Sequence, residues 1–361
     1  MSYNFTLTRD HDGRRLDRTL RSLWPEIPLS AIMRALRKGE IRIDSARVRE
    51  PGTRLSAGQS LTVPWEAPGS ASKQAERAVC RPIPILWRGE GALIVNKPAD
   101  LLVQPDTKGG DSVITRVWGM ITREVEAPAS GTNPSPGEGP RPHPAAVHRL
   151  DRNTTGVLAV ALRGDTLRAL EVLFRERRVS KRYLAISVMH APDGSGAKSK
   201  SHGSTLSSGD VWEIDAPLLK DAEANIVCVS REGKSARTRC RCLAADKELS
   251  LIEAELLTGR THQARVHLAH MGCPILGDRK YGDFEANRQW KTVRRPLLHA
   301  CELTFPDDLP PELSELAGKT FRAPLPPDMQ KIINTRGWSA FKEEPETTAD
   351  QELIFKREGG V

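Results

Sequence analysis

Apolar and polar positions along the 361 residues follow two rhythms. Residues 157–162 are an unbroken apolar run, too short and too branched for a helix, which predicts a buried strand reached through Gly156. Residues 93–97 read as a second strand, ended by Pro98, and Cys240 and Cys242 alternate along a third. The helical rhythm appears where Ile32, Met33 and Leu36 are spaced to bury one face, in a short helix that Ser30 caps and Gly39 stops. Small strands follow around Ile41 and Ile43, then Val48, then Leu61 and Val63, with Ala57-Gly58-Gln59 as the turn before the last. An amphipathic helix over 165–178 leads into a strand opened by Ser180-Lys181-Arg182-Tyr183-Leu184-Ala185.

Breaks in these rhythms divide the chain. Residues 1–66 form a compact unit, and 67–80 are small, polar and linker-like, which predicts two units that move independently. The larger domain spans 81–334, with apolar-poor insertions at about 124–144 and 191–209, and 335–361 read as a peripheral tail. Within the tail, Leu353-Ile354-Phe355 could dock.

Composition narrows the class. The content is 38% hydrophobic and 28% charged, as for a globular protein with a substantial core. Six cysteines, at 80, 228, 240, 242, 273 and 301, include no Cys-x-x-Cys pair and read as reduced thiols. No apolar stretch approaches the ~20 residues that span a bilayer, and the first residues carry no signal-peptide core. The expectation is a cytoplasmic monomer without a membrane partner. A net charge of +8 suits a polyanion such as RNA, depending on where the charge lies. Residues 1–66 hold 12 Arg or Lys against 8 Asp or Glu, and Arg34, Arg37 and Lys38 fall on one helix face. Arginine's planar fork suits phosphates, although a solvated face is the commoner meaning of such a stripe.

The chemistry centres on His148-Arg149-Leu150-Asp151-Arg152-Asn153-Thr154-Thr155-Gly156, one carboxylate among cations at a turn before a buried strand. Asp151 is placed to be a nucleophile; the plainer reading is a turn cap or a partner of Arg149 or Arg152. Arg15-Leu16-Asp17 repeats the tripeptide without its surroundings, and Asp17 reads as a helix-start residue. The longer motif resembles the signature of the RluA family of pseudouridine synthases. Further blocks follow in that family's order: Leu93-Ile94-Val95-Asn96-Lys97-Pro98, the strand of Tyr183, Thr258-Gly259-Arg260-Thr261-His262-Gln263-Ala264-Arg265-Val266-His267, Gly277-Asp278-Arg279-Lys280-Tyr281-Gly282 and Leu297-Leu298-His299-Ala300. The last two resemble landmarks of fold rather than chemistry. Asp100 and Gln104 depart from the family's usual glycine and histidine. Residues 1–66 resemble the RNA-binding module of ribosomal small-subunit protein four, and the whole order is most similar to the RluC branch, which acts on large-subunit ribosomal RNA.

The resemblance implies an α+β fold, with a mixed, largely antiparallel central sheet preceded by a small α/β module. It implies an RNA pseudouridine synthase that flips a uridine, cleaves its glycosidic bond and rejoins the base through carbon; no atom is gained or lost, so no cofactor is expected. Asp151 is then the catalytic carboxylate, Arg265 its electrostatic partner and Tyr183 the residue that stacks on the base and assists proton removal. His148, Arg149, Arg152, Arg260, His262 and Gln263 are implied to bind substrate near the reaction, and Arg34, Arg37 and Lys38 in the leading module. His262, His267 and His270 could instead suggest zinc, but no metal is expected, since His262 would point away from the other two. The rival class is a non-catalytic RNA-binding or ribosome-assembly factor that kept the fold. A glycoside hydrolase would want paired carboxylates, and only one stands in a recognisable motif.

Overall fold

The computed structural model describes residues 2–24, 27–66, 82–105, 110–126, 144–189, 206–221 and 223–338. In the first unit, strands Tyr3–Thr6, Ser60–Val63, Arg42–Ile43 and Ala46–Arg47 pair in that order. They share one core with helices Leu16–Leu23 and Leu29–Lys38, built on Phe5, Leu20, Trp24, Ile32, Leu36 and Leu61. Ser30 lies inside the second helix rather than capping it. Pro28, whose ring pre-sets φ at −59°, precedes the helix and accepts the Ala31 and Ile32 amides. Gly39 ends the helix in the left-handed region, φ +67°. Arg34, Arg37 and Lys38 are exposed, and Asp17 sits in the first turn of its helix, held by Arg15.

The larger unit is a ten-stranded sheet. Its main path runs Val211–Asp215, Arg237–Ala245, Leu249–Leu256, Ser180–Val188, Leu298–Thr304, Thr155–Ala161, Ala92–Lys97, Ile85–Arg88. All neighbours are antiparallel except Leu298–Thr304 beside Thr155–Ala161, which run parallel at the sheet's centre. Thr155–Ala161 is buried throughout, as its unbroken apolar run requires. Helix Gly164–Arg175 covers one face, and helix Gln263–His270 packs against the other end of the sheet.

Several boundaries shift. The helix Val113–Glu126 runs into the stretch read as an insertion. Leu206 is buried in the main core and the Gly209 amide bonds Cys242, so the second insertion rejoins the sheet earlier than its composition suggests. Past 334, Arg336 pairs with Asp246 and Glu248, and Trp338 packs on the core. The first unit also touches the second: Asp10 Oδ1 accepts the Gly164 amide at 3.1 Å and lies 3.8 Å from Arg163. Linker composition alone predicted separate motion; here a carboxylate sits at the start of helix Gly164–Arg175, where free amides favour an anion. Cys80 and 353–355 lie outside the described residues.

Candidate active site

Asp151 stands in the turn just before the central parallel strand, where its carbonyl accepts the Thr154 amide at 3.1 Å. Gly156 makes that turn possible. Its φ is +113°, and a Cβ there would lie 2.0 Å from the Ala300 carbonyl oxygen of the parallel neighbour. Next to it, Thr155 Oγ1 bonds buried His299 Nδ1 at 2.8 Å, while His299 Nε2 donates to Ala323 O at 3.2 Å.

Two buried cations hold the turn from behind. Lys97 Nζ donates to the carbonyls of Pro98 and Arg152, both at 2.8 Å, and Arg295 reaches Asn153 O at 3.3 Å while gripping Asp328 with two bonds of 2.7 Å. Burial pulls the Lys97 ammonium down to about 7, against the raising influence of Asp151. Asp100, in place of the family's glycine, keeps the left-handed conformation at φ +55° and lies 3.7 Å from Arg152. Aspartate tolerates that region better than most side chains, so the turn survives the substitution.

In front, helix Gln263–His270 presents Arg265. Its Nη1 donates to Asp151 Oδ2 at 3.1 Å, while Nε and Nη2 donate to the two oxygens of fully buried Asp278 at 2.7 and 2.8 Å. Burial disfavours the guanidinium's charge, but Asp278 and then Asp151 more than offset it, so Arg265 is held more firmly protonated than usual. Burial would likewise raise Asp278, yet Arg265 and the Lys280 and Tyr281 amides bring its carboxyl below the usual range. The Arg265 guanidinium lies 5.0 Å from the centroid of the Tyr281 ring.

His262, at the start of the same helix, adopts φ +54°. A non-glycine residue there costs about 1 kcal/mol, and the ring it carries sits between two partners. Nε2 lies 3.9 Å from Asp151 Oδ2, and Nδ1 lies 2.8 Å from Tyr281 Oη, which also accepts the Val227 amide at 3.0 Å. Burial first, then Arg265 and Lys280, lower the His262 pKa against Asp151 and Asp278, so the ring is neutral at pH 7.

Asp151, His262 and Arg265 line a cleft of about 550 Å³. Tyr183 and Phe174 supply aromatic surface; Arg149, Arg175, Arg177, Lys181 and Arg260 supply positive charge. Burial, then Asp151, raise the Tyr183 phenol, so it meets a substrate protonated: suited to stacking and donating, unsuited to taking a proton unaided. Past Asp151 the cleft opens into a second lobe of about 790 Å³, where Arg149 is joined by Arg152, Lys220, Arg279, Lys280 and Arg294, with Gln104 on the wall.

Asp151, Arg265, Tyr183, His148, Arg149, Arg260 and His262 are therefore brought together, with Arg152 one step away in the second lobe. Gln263, also on the cleft wall, and His148 are engaged internally. Gln263 is buried and spends its amide on Thr258, Arg260, Arg237 and Thr238, so it shapes the loop rather than touching a ligand. His148 accepts the Ala159 amide at 3.1 Å and stacks on Phe174, and burial then Lys181 lower it to about 3. The three histidines of the zinc alternative diverge: His267 bonds Thr238 and Ala216, His270 is exposed, and His262 faces Asp151. Sequence reasoning passed over Lys97, Arg295, Asp278 and Tyr281 as chemistry. The one signal was the place of Lys97, Asp278 and Tyr281 in the motif blocks, where Asp278 and Tyr281 read as fold landmarks; Arg295 lies outside every block.

With this geometry in view, residues 91–270 match the family described as RNA pseudouridylate synthase. The ribosomal large subunit pseudouridine synthase C of Vibrio cholerae serotype O1 is 34% identical over 315 residues, covering 83% of this chain and 87% of the relative. The protein of the same name from Escherichia coli K12 is 33% identical over 316 residues, with the same coverage. A solved human structure, RNA pseudouridylate synthase domain containing 4, covers 72% of this chain and 94% of its own at TM-score 0.50 and 24% identity, a likeness of fold.

Proposed function

The chain belongs to the RNA pseudouridylate synthase family, and we propose that the uridines it isomerises lie in large-subunit ribosomal RNA, with Asp151, Arg265 and Tyr183 carrying the reaction. A flipped uridine enters the cleft with its base against Tyr183, while Arg149 occupies the gap left in the stack. Asp151 meets the ribose, either at C1′ or through assistance to a glycal, and the C1′–N1 bond opens. Arg265 keeps the carboxylate aimed, because Asp278 fixes two of its nitrogens and leaves Nη1 for Asp151. The detached base turns and rejoins through C5. Lys181, Arg175, Arg177 and Arg260 accept the flanking phosphates, and Arg34, Arg37 and Lys38 of the leading module hold more distant RNA. The enzyme works as a monomer in the cytoplasm, where ribosomal RNA is made.

The observation that carries this reading is the 3.1 Å contact between Asp151 and Arg265 on the wall of a cationic cleft that also holds Tyr183. Its test is pseudouridine mapping of total RNA from cells lacking the protein, complemented with wild type or with Asp151→Asn. Large-subunit sites that vanish and return only with wild type are the expected result. Full restoration by Asp151→Asn would remove the assigned role, and unchanged maps would favour the binding-factor reading.

A further inference from the structure

We propose that His262 is a catalytic hydrogen-bond donor to the uracil as it leaves the ribose, and that Tyr281 is a positioning residue that decides which His262 nitrogen does the donating. The inference rests on the reading of Asp151 given above and adds to it the group that receives the departing base.

When C1′–N1 breaks, both electrons leave with the base, and the ribose carbon is either taken by the Asp151 carboxylate or relieved of its C2′ proton by it. Uracil is then an anion, its charge spread over N1 and the two carbonyl oxygens. An ion so formed is stabilised by a fixed donor in a water-poor cleft, and such donors are worth most where the charge develops. Arg265 is already held elsewhere: three of its five N–H donors go to Asp278 and Asp151, which fix the guanidinium in place. His262 Nε2 lies 3.9 Å from Asp151 Oδ2, too far for a hydrogen bond, with both atoms on the cleft wall. An atom seated in the cleft in front of the pair, off the line that joins them, lies about 3 Å from both, the arrangement a reacting group needs. The donor keeps its proton throughout, so the proton lost from C5 and the one gained at N1 are unaffected.

Donation requires the proton on Nε2, and the structure supplies the reason it sits there. Tyr281 Oη accepts the Val227 amide at 3.0 Å, which leaves its own proton for His262 Nδ1, 2.8 Å away. Nδ1 is thereby the acceptor and Nε2 the donor, provided the ring is neutral. Asp151 and Asp278 on one side and Arg265 and Lys280 on the other face the ring, their influences opposed, and burial tips it to the neutral form. The left-handed backbone at His262 places the ring between these partners instead of along the helix.

The test is single-turnover conversion of an unmodified large-subunit ribosomal RNA transcript by wild type, Asp151→Asn, His262→Leu, His262→Gln, Tyr281→Phe and the His262→Gln/Tyr281→Phe double variant. His262→Leu should lose about 100-fold in rate with RNA affinity kept, and His262→Gln, which retains an N–H donor, should recover most of it. Tyr281→Phe keeps the ring beneath Arg265 and should lose about fivefold. In the Gln background Tyr281→Phe should cost nothing more. A fivefold loss that persists in the Gln background would overturn the inference, as would a full-rate His262→Leu beside an inactive Asp151→Asn. Should the Leu variant fail to fold, the Gln and Phe variants still decide. A wild type inactive on the transcript overturns the parent reading and this inference with it.

Discussion

At the residue scale, the turn that carries Asp151 is defined by what its neighbours forbid and what they bond. Gly156 is required because any Cβ would strike Ala300, and Lys97 is buried because two carbonyls of the turn region need a donor. Lys97→Met should remove that donor from Arg152 O and Pro98 O, lowering stability by about 1–3 kcal/mol and slowing single-turnover conversion more than tenfold. Urea unfolding and conversion measured on one preparation check both. The pH dependence has a definite sign. The Lys97 pKa falls from 10.5 unfolded to about 7 folded, so between these values the unfolded state binds the extra proton and wild-type stability rises with pH. The deficit of Lys97→Met should therefore widen from pH 7 to 10.

At the element scale, helix Gln263–His270 and the strands beside it divide the labour. The residue before the helix, His262, is aimed by the helix start, the first turn offers Arg265, and buried Asp278 holds the guanidinium from the loop beyond. A planar fork serves two carboxylates at once; an ammonium is a point charge and cannot. Arg265→Lys should keep the fold yet lose at least 100-fold in conversion, with RNA affinity within a few-fold of wild type; unchanged conversion would remove the aiming role. The strand of Tyr183 was legible, whereas helix Gln263–His270 entered through its motif block rather than through an apolar stripe. Ser30 was misread as a cap because Pro28 supplies the same entry geometry through its ring, and nothing in composition ranks one above the other.

At the scale of the whole molecule, burial of neutral histidines makes folding sensitive to acid. His11, His299 and His148 are lowered by burial to about 4, 4 and 3. Between these values and the ordinary 6.5 the unfolded chain takes protons that the folded one refuses, so the stability present above 6.5 is lost as pH falls. Each site contributes on the order of 3 kcal/mol, and the urea midpoint should drop steeply from pH 6.5 to 4; a flat profile would contradict it. The leading unit bears on binding. Deleting residues 1–66 removes Arg34, Arg37 and Lys38 along with the Asp10 contact at the start of helix Gly164–Arg175. RNA affinity should fall and its salt dependence flatten, while the remaining domain should lose roughly 1 kcal/mol of stability.

The sequence by itself determined the elements and their order: a branched apolar run is a strand, a 3.6-residue apolar stripe is a helix, and a glycine at a forced turn stays a glycine, because each rests on neighbours a few residues apart. It also displayed Asp151, Tyr183 and Arg265 through motifs. What only the tertiary structure decided is which distant groups meet them. Lys97 lies 55 residues from Arg152, Arg265 lies 114 from Asp151, and Arg295 lies 142 from Asn153. Sheet order brings these pairs within hydrogen-bond distance, and a linear chain carries no local trace of sheet order. The buried carboxylate behind Arg265 and the tyrosine behind His262 are decided at that level, where desolvation makes every unpaired polar group costly and so fixes its partner.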